Sequence, residues 1–276
     1  MDDEFYKVVP LSDRLTRIIG PTGEMTYLVQ GRDAAVLIDT GVGVGNLRAV
    51  VDRLTDKPLS VIITHGHVDH AMGAPLFKDR PLYLSHADLP ILPAYGDAVL
   101  RHMYVKAFHH GRTVADELYV PFETLDYRDL HSGDDFDLGG LHLVAYPLAG
   151  HTAGSFIILL VEPRILITGD ACNPSVFLFL PEARPVHEYM ANLQAVIPLV
   201  AGRYDAVCFS HDGGDGGADM LDSALEVTRQ IMAGTTDDIP FHFLSYHACV
   251  AKATNHLTHR RRDGGSANII YDPHRK

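Results

Sequence analysis

A chain of 276 residues can form one large domain or two small ones, and either can bury a full core. With 46% apolar and 21% charged residues it has the composition of an ordinary globular protein. Its formal net charge of −12 argues against a nucleic-acid backbone as main partner, because phosphate binding needs clustered Lys and Arg. The three cysteines, Cys172, Cys208 and Cys249, contain no Cys-x-x-Cys pair, so a reducing cytoplasm is expected rather than a disulfide framework. The acidic start Met1-Asp2-Asp3-Glu4 leads into no apolar signal region, and no apolar run nears the ~18 residues of a membrane span. No membrane partner is expected.

In chain order, short apolar runs at 5–10, 14–19, 25–30 and 34–39, separated by Pro21-Thr22-Gly23 and Gly31-Arg32-Asp33, predict an antiparallel meander. The fourth run ends in the Gly-rich turn Gly41-Val42-Gly43-Val44-Gly45. That turn lacks the Lys-Ser/Thr of a P-loop and the spacing of a dinucleotide fingerprint, so it reads as a strand-to-helix turn. Asn46 is expected to cap a helix over 47–54. The β-branched run Val61-Ile62-Ile63 predicts a buried parallel strand, after which Thr64-His65-Gly66-His67-Val68-Asp69-His70 delivers four metal-competent side chains. Gly66 is read as permitting a sharp turn, with a helix starting over 68–76. Open α/β sheets bind their ligands at such carboxyl ends of strands.

A further short strand is expected over 81–86. Residues 87–127 lose strand rhythm and carry Tyr95, His102, Tyr104, Phe108, His109, His110, Tyr119 and Phe122, which predicts a helical insertion covering the site. His109 and His110 point about a hundred degrees apart on a helix, which disfavours a shared ion; they read as surface or pocket-wall residues. From Leu130 the alternation returns around Gly139-Gly140, a hairpin signal, with His142 facing solvent or a hydrogen-bond partner. Strands over 156–161, 164–170 and 206–211 and helices over 187–200 and 218–232 follow. A strand-like run over 241–250 extends a sheet in the monomer or joins a homo-oligomer. A basic tail with His259-Arg260-Arg261-Arg262 closes a C-terminal helix-plus-strand segment over 218–276. The strand-strand-helix rhythm recurs in two halves, roughly 1–125 and 130–276, within one domain spanning 1–276.

Three more metal-competent residues, His151, Asp170 and His211, stand at the ends of predicted strands. Strand ends on one edge of a packed pair of sheets converge, so seven candidates gather. Five imidazoles and two carboxylates suit Zn2+, or Fe2+ or Mn2+. His65 and His67 project to one side and can share an ion; Asp69 and His70 face a neighbouring position. Two ions sharing one carboxylate use all seven. Asp39 is expected to support this shell through hydrogen bonds rather than ligate.

The set His65-x-His67-x-Asp69-His70, Gly150-His151-Thr152-x-Gly154-Ser155, Thr168-Gly169-Asp170 and Ser210-His211 resembles the metallo-β-lactamase superfamily in order and spacing, as does the turn Asp39-Thr40-Gly41. The resemblance implies an α/β fold, a four-layer αβ/βα sandwich of two mixed β-sheets flanked by helices. It implies that His65, His67 and His151 hold a first ion, that Asp69, His70 and His211 hold a second, and that Asp170 bridges them. It further implies a metal-bridging hydroxide as nucleophile, with Asp69 and Asp170 as catalytic carboxylates.

Within that family, Asp170 stands where zinc β-lactamases usually carry Cys or Ser, and Cys172 lies two residues too late to replace it. His67 stands where flavodiiron reductases carry Glu, and Asn173 stands where quorum-quenching lactonases carry Tyr. The expected function is therefore a metal-dependent, dizinc hydrolase of an ester, thioester, lactone or related carbonyl compound. Alternatives are a small-molecule phosphodiesterase, minor β-lactam hydrolysis, a di-iron redox enzyme and a non-catalytic metal scaffold. Asn173, Phe177, Tyr104 and His109 are the expected lining of a small-molecule pocket. Arg260–Arg262 reads as a solvated tail or as a site for a substrate carboxylate or phosphate.

Overall fold

Short strands punctuated by turn residues build the first sheet, as the apolar runs predict. The computed structural model describes residues 4–109, 111–255 and 260–276; the expectations for His110 and His259 lie outside the described residues. The chain divides into two compact units, Met1–Leu143 and Val144–Lys276.

In the first unit β1 (Lys7–Pro10), β2 (Leu15–Ile19), β3 (Met25–Gln30) and β4 (Ala35–Ile38) form the expected antiparallel meander. The chain then passes through helix α1 (Leu47–Leu54) to β5 (Leu59–Ile62) and on to β6 (Leu82–Tyr83), each parallel to its predecessor. The sheet order is β1-β2-β3-β4-β5-β6. Asn46 caps α1 as its side-chain type predicts, its Oδ1 accepting from Ala49 N–H at 3.0 Å. Leu47, Val50 and Val51 of α1 bury one face against Ile18, Leu28, Leu37 and Val61 of the sheet; each such side chain contributes about 1.5–3 kcal/mol relative to exposure.

The helix expected over 68–76 is shorter. Helix α2 (Val68–Ala71) ends at once, and a separate 3-10 turn, Ala74–Phe77, follows. Gly73 and Pro75 are the cause: proline has no N–H to continue an α-helix, and a Cβ on Gly73 would stand 2.1 Å from Thr40 O. Gly43 has a structural duty too. It sits at φ 72, and a Cβ there would meet Met72 O at 2.4 Å, so the Gly-rich turn lies directly against the end of α2.

Residues 86–118 hold a 3-10 helix (His86–Ile91), α3 (Leu92–Tyr95), α4 (Ala98–Phe108) and a second 3-10 turn (Asp116–Leu118). Asp97 caps α4, accepting from Leu100 N–H. Arg101 secures α4: its buried guanidinium donates to Val120 O at 2.6 Å, Val42 O at 3.1 Å and Gly43 O at 2.9 Å. Strand β7 (Asp135–Asp137) and the turn Gly139-Gly140, both at positive φ, lead into β8 (His142–Pro147). His142 Nδ1 donates to Asp135 Oδ1 at 3.0 Å, the hydrogen-bond role expected of it.

The second unit carries β9 (Phe156–Leu160), β10 (Ile165–Gly169), β11 (Val176–Leu178), α5 (Val186–Val200), β12 (Ala206–Phe209), β13 (Asp215–Gly217) and α6 (Met220–Ala233), followed by β14 (Ile239–Phe243), β15 (Tyr246–Val250) and β16 (Ile269–Tyr271). One sheet runs β13-β12-β10-β9-β8, and a second runs β11-β16-β15-β14. Tyr189, Leu193 and Val196 of α5 and Leu221, Ala224, Val227 and Ile231 of α6 form its core with the strands.

Two expectations change here. The run over 241–250 is a hairpin rather than one strand: Leu244, at φ 53, turns the chain between β14 and β15. The basic run is no solvated tail at Arg261, which donates to Asp263 at 2.6 Å, to Ala267 O and to Ser223 Oγ. It thereby fixes the lead into β16, whose three residues are buried. Among the described residues no helix is long and apolar enough to cross a membrane.

Replacing Arg101 by Met removes the donor for three buried carbonyls at once. At about 1–3 kcal/mol for each buried polar group left without a partner, Arg101→Met is expected to lower unfolding free energy by about 3 kcal/mol or more, read by urea denaturation. A loss below 1 kcal/mol would mean that water replaces the guanidinium.

Candidate metal centre

The parallel pairing of β4 with β5 sets Asp39, just past one strand, beside Thr64, just past the other. Asp39 N–H donates to Ile62 O at 2.8 Å, and Thr64 N–H returns a bond to Asp39 Oδ1 at 2.7 Å. Asp39 Oδ2 accepts from Thr64 Oγ1 and pairs with His70 Nδ1, both at 2.8 Å. Because an ionised carboxylate only accepts, His70 carries its proton on Nδ1. The lone pair is then on Nε2, the nitrogen facing Asp69 Oδ2 at 3.7 Å. The backbone of His70 is fixed as well, its carbonyl accepting from Thr40 N–H and Oγ1. Asp39 adopts φ 64, a left-handed conformation that Asp tolerates better than most residues.

Around this pair His65 and His67 lie with ring centroids 4.7 Å apart, and His65 and His70 with centroids 4.0 Å apart. The ligand atoms of His65 and His67, of His65 and His70, and of Asp69 and His70 are each within 4.8 Å of one another. All four side chains are buried. Gly66 serves a different purpose from the one expected. It has no positive φ; instead a Cβ there would crowd Ile91 at 3.0 Å and Asp88 Cβ at 3.2 Å. The fully buried Asp88 accepts from Gly66 N–H at 2.8 Å, so the His-Gly-His turn is clamped from the following 3-10 helix.

The second unit assembles the remaining three candidates. β10 and β12 are parallel, so Asp170 and His211, which follow them, emerge at the same end. His211 Nε2 lies 3.2 Å from Asp170 Oδ2, and His151 Nε2 lies 3.7 Å from the same oxygen. His151 Nδ1 pairs with Phe177 O at 3.0 Å; a carbonyl only accepts, so this imidazole too presents its lone pair on Nε2. Gly150 is needed beside it, since a Cβ would stand 2.2 Å from Tyr189 Cδ2.

The four expected pocket residues fare differently. Tyr104, from α4, donates its hydroxyl to Asp69 Oδ2 at 2.7 Å. Asn173 is buried, bonds Asp170 Oδ1 at 3.4 Å and accepts from Ser175 N–H at 2.7 Å, which makes it a brace for the turn after β10. Phe177 serves His151 through its carbonyl, while its ring stacks among Phe179, Phe241 and Phe243. His109 ends α4 with Nδ1 2.6 Å from Pro21 O, tying that helix to the turn between β2 and β3. Cys172 packs into the core, where burial pushes its thiol up to about 12, so it stays protonated and gives no thiolate ligand.

Sequence reasoning missed Asp88, Arg101 and Glu24. Glu24 is buried, accepting from Thr22 Oγ1 at 2.5 Å and Val42 N–H at 3.2 Å. Burial raises its carboxyl above the ordinary range, the Thr22 hydroxyl opposes the rise, and the Asp69 charge adds to it. None of the three lies in a motif; an acid or guanidinium among apolar neighbours was the one available signal.

Within each unit the donors are imidazole nitrogens and carboxylates, buried except for the partly exposed His211, and several already have outer hydrogen bonds in place, a set that fits a first-row divalent ion. Such donors at strand ends define an α/β protein with a candidate metal site. The chain matches the metallo-beta-lactamase superfamily over residues 19–211, and it belongs to that superfamily.

It is 29% identical to an acyl-coenzyme A thioesterase MBLAC2 of Bos taurus over 194 residues, covering 63% of this chain and 67% of the relative. It is 32% identical to an uncharacterized protein of Mycobacterium tuberculosis over 148 residues, 49% of this chain. That match spans 61% of the mycobacterial relative's length. Among solved structures, the metallo-β-lactamase VMB-1 superposes with a TM-score of 0.61 at 18% identity, covering 84% of this chain and all of that one. The sec-alkyl sulfatase PisA1, as a double mutant, gives a TM-score of 0.64 at 17% identity over 83% of this chain and 42% of that chain. These likenesses show the fold, mixed β-sheets with flanking helices.

Asp39→Asn tests the outer shell. Asn keeps the left-handed backbone but turns an NH2 toward His70, which moves the imidazole proton to Nε2 and removes its lone pair. Divalent-ion affinity, measured by chelator competition, is expected to fall about 10–100-fold, with thermal stability changed less than in Asp39→Ala. Unchanged affinity would show that Asp39 does not set the tautomer.

Proposed function

We propose that the chain is a two-ion hydrolase of carbonyl esters, and that acyl thioesters are its substrate class. The observation that carries this reading is the placement of Asp170 Oδ2, 3.2 Å from His211 Nε2 and 3.7 Å from His151 Nε2. One carboxylate facing two imidazoles in this way suits a ligand shared by two ions. In this reading His65, His67 and His151 hold the first ion, and Asp69, His70 and His211 hold the second. The imidazole-rich set favours Zn2+ over Mg2+ or Ca2+.

Two ions held there would supply hydroxide at neutral pH and polarise a substrate carbonyl. The protein's own groups do the rest. Asp39 and the Phe177 carbonyl hold the Nδ1–H tautomers of His70 and His151, which leaves each Nε2 as the nitrogen offered to an ion, and the Asp69 carboxylate receives a proton and returns it to the departing group. A thiolate, whose conjugate acid has a pKa near 8.5, departs with less proton assistance than an alkoxide. That suits a site in which Asp69 already accepts a hydrogen bond from Tyr104. The MBLAC2 acyl-coenzyme A thioesterases of Bos taurus and Homo sapiens, 29% and 27% identical over 63% of this chain, support the same class. Free cysteines throughout accord with a reducing cytoplasm, where coenzyme A thioesters are found.

Purified protein is expected to hold two divalent ions by elemental analysis. It is expected to hydrolyse acyl-coenzyme A faster than p-nitrophenyl esters, lactones, bis-p-nitrophenyl phosphate or cephalosporins. Asp170→Ala is expected to lose more than about 100-fold, the upper end for a mere outer partner of a metal site. Two iron atoms with visible absorption, or equal slow rates in wild type and variant, would overturn the assignment.

A further inference from the structure

We infer that Tyr104 is a positioning residue for the second ion: its hydroxyl orients the Asp69 carboxylate, so that α4 controls how that ion is held. The inference rests on the two-ion reading above and adds to it a residue from outside the ligand motifs.

The contact is specific. Tyr104 Oη donates to Asp69 Oδ2 at 2.7 Å, as a phenol hydroxyl must beside a carboxylate, which only accepts. A bond of that length to a charged acceptor is about twice as strong as a neutral one. Asp69 is the second residue of the four-residue helix α2, and the same Oδ2 faces His70 Nε2 at 3.7 Å. The hydroxyl therefore sets the rotation of the carboxylate beside an imidazole whose own orientation Asp39 fixes.

Tyr104 is delivered rather than incidental. Arg101 lies three residues earlier, on the same face of α4, and binds the carbonyls of Val42 and Gly43. The position of a Gly43 Cβ is 2.4 Å from Met72 O, at the end of α2. One guanidinium thus references α4 to the turn that abuts α2, and the next side chain on that face reaches the ligand carried by α2. The Tyr104 ring also packs on Phe108, one turn on, with centroids 4.6 Å apart.

Tyr104→Phe removes the hydroxyl and keeps the ring, its stacking and its burial, so the melting temperature is expected to stay near that of wild type. Stepwise Zn2+ affinities, measured by chelator competition without substrate, are expected to separate. The tighter site stays within threefold, while the weaker site loses about 10–100-fold, the range for outer partners of metal ligands. At saturating Zn2+ the variant is expected to lower kcat with KM unchanged. Phe108→Leu disturbs the packing but leaves the hydroxyl, and is expected to retain both affinities. Wild-type affinity at both sites in Tyr104→Phe would overturn the inference alone. A wild-type protein that binds a single ion would overturn the two-ion reading together with it.

Discussion

The hydrogen bonds of Asp39 are the constraint on which the first unit's half of the site depends. A single carboxylate, at a backbone conformation costly for most side chains, accepts from the Thr64 backbone, the Thr64 hydroxyl and His70 Nδ1. The first two bonds register the end of β5 against the end of β4. The third converts that register into the tautomer of a candidate ligand. A strand pairing, which is backbone physics, thereby becomes a statement about which imidazole nitrogen meets a metal. The cost of burying the charge is offset by three donors, one of them a main-chain amide that needed a partner in any case.

The second unit solves the same problem with different material. His151 Nδ1 is engaged by the carbonyl of Phe177 rather than by an acid, so no additional negative charge is brought near Asp170. The negative charge beside His151 and His211 comes from Asp170 itself, whose other oxygen is braced by Asn173. In both units the candidate ligands are therefore held by groups that do not ligate, and these outer groups decide whether a cluster of polar side chains binds an ion or merely caps strand ends. The hydrogen-bond partners of His70 and His151 place the proton on Nδ1 and leave Nε2 to face the other candidate ligands.

How much of this was legible varied with the kind of signal. The meander, the Asn46 cap, the β5 strand and the long helices α5 and α6 followed from local periodicity and capping chemistry, which need no tertiary information. The hairpin hidden in 241–250 was not legible, because Leu244-Ser245 carries none of the Gly or Asn that usually marks a two-residue turn. The role of Arg261 was hidden for another reason: three consecutive arginines look solvated until Asp263 and the Ser223 hydroxyl are brought to the middle one. Gly66 shows the limit most clearly. Its presence was predicted to matter, but for backbone freedom, whereas the requirement is the close approach of Ile91 and Asp88, which only the folded chain can state.

The ligand positions were readable because each is tied to the end of a strand, and strand ends are fixed by sheet register. Of the groups that tune them, Asp39 was readable as a hydrogen-bonding support and Tyr104 only as pocket lining, while Asp88 was not readable, because the stretch that carries it has no periodic signature. Asp88 and Tyr104 both lie in the stretch after β6, where 3-10 turns and short helices replace regular structure, and each hydrogen-bonds the His-x-His-x-Asp-His segment. A stretch free of strand register can move without breaking a sheet, so it is the part of the chain in which sequence change can alter ligand orientation at least structural cost. Arg101 limits that freedom by binding three carbonyls, two of them in the Gly41–Gly45 turn. The sheets thus decide where an ion can sit, and this one anchored helix decides how firmly Asp69 is presented to it.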